Sequence, residues 1–189
     1  RAQFQIPPDG AGEPAELAGN SLGLQPRATR EQIIGELDDW ARLGVEGHLE
    51  AARPWGSYHE RLRGPAARLI GARPSEVVVM NSLTVNLHLM MVSFYRPSRE
   101  RHAILIEDSA FPSDSYAVRS QVAFHGYDPE DAVLRLRPRA GASALRGEDV
   151  VSFLLSEGGR VALVLLGAGD CFRGEFRAAQ GATPPRPPP

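Results

Sequence analysis

Residues 102–124 read HAILIEDSAFPSDSYAVRSQVAF. The opening His102–Ile106 is aliphatic at every position after the histidine, without the polar alternation of a half-solvated strand, and predicts a strand buried on both faces. After the strand comes EDSAFPSDSYA, residues 107–117. Pro112 then suits the first turn of a helix, which the spacing extends over Pro112–Phe124. Strand, turn and helix in this order make half of a parallel β-α-β unit.

The same alternation continues outward. RVALVLL at 160–166 is a second strongly apolar strand, Val133–Leu136 a shorter one, and Glu148–Ser156 a helix between them. Towards the N-terminus, Glu76–Met80 reads as a short buried strand and Val85–Phe94 as the helix after it. This pattern predicts an α/β fold, a mostly parallel sheet over residues 76–166 flanked by helices. Before it, one helix is expected from Pro26, with Ile33, Ile34, Leu37, Trp40 and Ala41 on one face and Gly44 at its end. Another is expected from Ser57 towards Ile70, stopped by Gly71 and kinked or broken at Pro65. The expected organisation is an extended arm (1–25), a helical segment (26–75), a partial α/β domain (76–176) and a Pro-rich tail (177–189) expected to be disordered. A parallel domain should continue past the last strand into another helix, so the sheet is expected to be incomplete at its C-terminal side.

Composition narrows the function. A net charge of −2 offers no basic field for nucleic acid. No apolar run approaches the roughly 20 residues of a membrane span. The lone Cys171 excludes an internal disulfide, so a cytoplasmic setting is the default. No metal site is expected. All 21 basic residues are Arg and none is Lys, which removes the usual amine nucleophile from the chain.

Two strand-to-helix junctions carry the chemistry. In MNSLTV (80–85), the amides of Ser82, Leu83 and Thr84 and the Thr84 hydroxyl could hold a phosphate at a helix N-terminus. Asn81 and Ser82 could equally be ordinary helix caps. No Gly-rich phosphate loop is present. In EDSAFPSDSYA (107–117), Phe111 stands at a strand's carboxyl end, where an aromatic is either core or a stacking plate for a flat ring. A phosphate cradle beside an aromatic plate fits a phosphorylated aromatic cofactor.

GNSLGLQP (19–26), GVEGH (44–48), RPW (53–55), MNSLTVNLH (80–88) and AFPSDSYA (110–117) together resemble the N-terminal part of the kynureninases. These are pyridoxal-phosphate enzymes of the aspartate-aminotransferase-like fold, and the resemblance covers roughly residues 17–166. It implies the N-terminal part of a transferase-like large domain and a homodimer in which the helices of 26–70 pack across the interface. It also implies hydrolysis of kynurenine or 3-hydroxykynurenine to anthranilate or 3-hydroxyanthranilate plus alanine, in tryptophan catabolism towards NAD. By the same resemblance Leu83 and Thr84 are the phosphate-binding pair, and Phe111, Pro112, Ser113 and Asp114 the cofactor-contact stretch with Phe111 stacking on the ring. Ser21 and His48 are the positions that meet substrate. Without a ligand, Asn20–Ser21 is an acceptable turn and His48 a solvated loop histidine.

The chain departs from that family in having no cofactor-anchoring lysine, so no catalytic residue is expected in it, and the resemblance fades after Gly167. Two readings stay open. The chain belongs with the enzyme but is inactive alone, or it is a catalytically dead fragment that pairs with full-length subunits. Other pyridoxal-phosphate enzymes of the same fold are the runner-up family.

Overall fold

The computed structural model describes residues 2–7, 22–142, 144–167, 169–170 and 175–176. The chain divides into two compact units between Met80 and Asn81.

The first unit is helical. Near its start Phe4 and Pro26 form an antiparallel bridge. Helix α1 (Thr29–Leu43) ends at Gly44, whose φ of 56° is open to glycine. A 3-10 turn over Gly44–Glu46 leads into the short α2 (Gly47–Glu50). Helix α3 (Tyr58–Ile70) runs unbroken through Pro65 and stops at Gly71 in the left-handed conformation. The RPW motif has a structural role here. Arg53 Nε lies 2.5 Å from Glu36 Oε1, and Trp55 Nε1 donates to Glu36 Oε2 at 2.9 Å, fixing the segment after α2 to the flank of α1. The Trp55 hydrogen bond, backed by Arg53, holds the Glu36 carboxyl below its ordinary range.

The expectation of a strand at Glu76–Met80 is overturned. Pro74–Glu76 is a 3-10 turn, and Val77 is extended (φ −120°, ψ 135°), but residues 77–80 pair with no strand among the described residues. Val78 and Met80 are exposed. β-branched residues favour extended backbone, yet a strand also needs a partner ladder, and conformational preference alone supplies none.

The second unit opens with α4 (Leu83–Phe94) and carries a three-stranded parallel sheet, so the sheet begins at Ala103 rather than at 76. Strand β1 (Ala103–Glu107) lies between β2 (Val133–Leu136) and β3 (Val161–Leu165). In register, Leu105 stands opposite Leu134 on one side and Val164 on the other. The expected strands at 102–106 and 160–166 therefore do share one sheet. Helix α5 (Pro112–Phe124) and the four-residue α6 (Pro129–Ala132) connect β1 to β2, and α7 (Gly147–Glu157) connects β2 to β3.

Every residue of β1 is buried, and side-chain alternation sorts them into two layers. Ile104 and Ile106 pack with Met91, Tyr95, Val118 and Val122 of the α4–α5 side. Leu105 packs with Leu136, Leu145, Val150 and Val161 on the α7 side. Helices thus cover both faces, as the unbroken apolar strand requires. Two-residue strands β4 (Gly169–Asp170) and β5 (Glu175–Phe176) pair antiparallel after the sheet. The expected tail at 177–189 lies outside the described residues.

Candidate functional site

At the end of β1 the chain turns tightly. Ala110 N donates to Glu107 O at 3.1 Å, and Asp108 N donates to Leu136 O at 2.9 Å, extending the attachment to β2. Phe111 is the residue before α5, and its carbonyl accepts from the amides of Asp114 and Ser115 at 3.0 and 3.1 Å. The Phe111 side chain is 60% exposed. Pro112 is exposed at the first helical position, and Ser113 and Asp114 are half-buried beside it.

At the other junction, Ser82 is extended (ψ 161°) immediately before α4, and its side chain makes no capping bond. The polar cluster is braced differently. Asn86 donates from Nδ2 to Asn81 O at 3.0 Å and accepts from Asn81 N at 3.1 Å through Oδ1. The first amides of α4, those of Leu83 and Thr84 included, therefore have no side-chain cap, and the Thr84 side chain is exposed. Uncapped amides at the positive end of a helix dipole favour an anion.

The two junctions lie at one end of the α4–α5 layer. Tyr95, just past α4, meets His125, just past α5, edge to face with ring centroids 5.1 Å apart. Nearer the middle, Gln121 Nε2 lies 3.0 Å from His88 Nδ1. The helices therefore run in the same direction. Tyr95 Oη also donates to His102 O at 2.6 Å, at the amino end of β1, so both C-termini sit at that edge. The N-termini, with Thr84 and Phe111, sit at the carboxyl edge of the sheet, where open α/β sheets bind ligands. Burial, with Tyr127 nearby, pushes the Tyr95 hydroxyl up to about 12, so it remains a proton donor at neutral pH.

The amino edge holds a separate polar cluster. His102 stacks flat on Tyr127 at 4.4 Å and lies 3.5 Å from Asp131, to which Arg160 also donates at 2.8 Å. The Arg160 hydrogen bond, then that of His102, keeps the Asp131 carboxyl below its ordinary range.

Of the remaining expected site residues, Ser21 lies outside the described residues. His48 lies in α2 rather than in a loop, exposed and edge-on to Trp55 at 5.6 Å. Gly47 beside it is buried, and a Cβ there would come within 2.2 Å of the Trp55 ring. Sequence reasoning passed over two residues that shape the carboxyl edge. Asn86 looked like an ordinary helical position, although its five-residue spacing from Asn81 allowed a return bond to the junction. Glu107, which the sequence does not single out, is buried at 8% exposure, and its Oε1 accepts from Gly167 N at 2.9 Å. Among the described residues no three His, Cys, Asp or Glu side chains gather as metal ligands, and no helix is long and apolar enough to cross a membrane.

No family model matches the chain. Curated relatives do. It is 62% identical over 179 residues to a kynureninase of Salinispora tropica, 57% over 176 to one of Myxococcus xanthus and 56% over 177 to one of Koribacter versatilis. Over nearly its whole length the chain is similar to the N-terminal portion of kynureninases. Each of these alignments takes in 93% of the chain, and the chain spans 41–42% of the relatives' length, an N-terminal portion of the family's sequence. Both junctions fall within the shared stretch.

Proposed function

We propose that this stretch of kynureninase sequence supplies the phosphate-binding and ring-stacking side of a pyridoxal-phosphate site, in an enzyme that hydrolyses kynurenine or 3-hydroxykynurenine. The products would be anthranilate or 3-hydroxyanthranilate and alanine, in tryptophan catabolism leading to NAD. The observation that carries this reading is the pairing, at one edge of the sheet, of uncapped α4 amides at Leu83 and Thr84 with an exposed aromatic at Phe111. These residues fit a phosphorylated ring at its phosphate and at its face. They do not fit its aldehyde, because no side chain in the sequence is a lysine.

When bound, the cofactor supplies an electron sink for cleavage of a bond next to the substrate's amine-bearing carbon. The chain's own groups bind and orient. Amides at the start of α4 and the Thr84 hydroxyl donate to phosphate oxygens. Phe111 lies against the ring and keeps water from that face, and the Pro112–Ser113–Asp114 turn fixes its direction. Ser21 and His48 are assigned to the substrate. A homodimer and a cytoplasmic setting complete the reading. Activity requires a lysine from sequence beyond this stretch, so this chain alone is inactive.

The test is a pyridoxal-phosphate titration of a full-length family member carrying these residues. Thr84→Val should weaken binding by about 0.5–3 kcal/mol through loss of a charge-assisted hydrogen bond. Phe111→Ala should weaken it through lost stacking. Unchanged affinity in both variants would return Thr84 to a solvent-exposed helix start and Phe111 to an incidental surface aromatic.

A further inference from the structure

Glu107 is an acid at the end of an otherwise aliphatic strand, and it is buried. Placing a carboxylate there costs free energy unless hydrogen bonds compensate. The ladder between β1 and β3 ends at the Ile106–Leu165 pair, and Gly167 lies two residues beyond β3. The bond from Gly167 N to Glu107 Oε1 at 2.9 Å therefore carries the attachment of the two strands past the end of their backbone ladder. The same residue's carbonyl accepts from Ala110 N at 3.1 Å, closing the turn that delivers Phe111. One residue thus holds the exit of β3 with its side chain and the turn before Phe111 with its backbone.

We propose that Glu107 is a positioning residue that locks the segment leaving β3 at Gly167 to the turn presenting Phe111, and so fixes the direction in which the aromatic is presented. The proposal rests on the reading of Phe111 as the ring-stacking residue. A side chain serving only to end the strand would fix Gly167 without affecting what binds at Phe111.

The experiment uses the 189-residue chain, with two readouts. Amide hydrogen exchange at Gly167 reports the lock without any ligand, and a titration with pyridoxal phosphate reports the site. Glu107→Leu keeps bulk and burial but removes the acceptor. It should raise Gly167 exchange by about tenfold or more and weaken cofactor binding severalfold. Glu107→Gln keeps an oxygen acceptor and should stay within about twofold of the parent on both readouts, since a neutral amide oxygen still accepts the bond. If Glu107→Leu does not fold, Gly167→Pro removes the donor at an exposed position and should weaken cofactor binding to the same degree. Unchanged Gly167 exchange in Glu107→Leu would overturn the lock. Faster exchange with unchanged cofactor affinity would overturn the positioning role, provided Phe111→Ala still weakens binding. If Phe111→Ala has no effect either, the site reading falls and this proposal with it.

Discussion

Thr84 and Phe111 each carry two readings in the sequence. For Phe111 the sequence leaves core and plate open, because it shows an aromatic but not its exposure, which is 60% in the structure. At Thr84 the sequence leaves cap and cradle open; in the structure the Ser82 side chain makes no capping bond, and Asn86 reaches back to Asn81. Asp149 illustrates charge at this scale. Its carboxylate pairs with Arg139 and accepts from Arg146 N at 2.9 Å, and these bonds, Arg139 first, hold its pKa below the usual 3.8. A carboxyl whose folded pKa is lowered adds stability that is fully present above its unfolded value and is lost as pH falls through the folded one. Asp149→Asn should therefore lower the melting temperature at neutral pH and flatten its fall below about pH 4. Melting temperatures of parent and variant between pH 2 and 6 provide the check, and parallel curves would contradict it.

Among the elements, helices with strong end signals were legible and the unpaired strand was not. Pro112 marked the start of α5 and Gly44 and Gly71 the ends of α1 and α3, because each restricts or frees φ where a helix terminus needs it. Residues 77–80 failed for the opposite reason: a β-branched run encodes an extended backbone, whereas strand identity is decided by a neighbour far away in sequence. The short α6 had a readable start that was passed over. Asp128 accepts from Glu130 N at 2.9 Å, with Pro129 at the first helical position. Helix α2 packs closely on Trp55 at Gly47. With only 2.2 Å between a Cβ at position 47 and the Trp55 ring, Gly47→Ala should displace the indole and strain its bond to Glu36. A loss of about 1–3 kcal/mol in chemical denaturation is expected from such overpacking. Gly64→Ala, in α3, has its nearest neighbour at 3.9 Å on a flexible arginine and should be neutral or slightly stabilising.

At the scale of the whole molecule, composition sets a limit that the fold does not. The parallel sheet and the parallel α4–α5 pair put the start of α4 and Phe111 at the carboxyl edge, yet all 21 basic side chains are arginine. A guanidinium keeps its proton under ordinary conditions and does not condense with an aldehyde as a lysine amine does. Borohydride fixes pyridoxal phosphate to a protein only where an amine has so condensed, and no internal side chain here offers one. Purified 189-residue chain mixed with the cofactor and reduced should therefore carry no stoichiometric label at any internal residue in peptide mass spectra. Supplied with kynurenine, it should release anthranilate no faster than free cofactor does. Noncovalent binding should still be detectable and should weaken on Thr84→Val, which separates an intact half-site from a chain that does not fold. A single labelled internal residue, or turnover above the cofactor background, would mean that another group replaces the lysine.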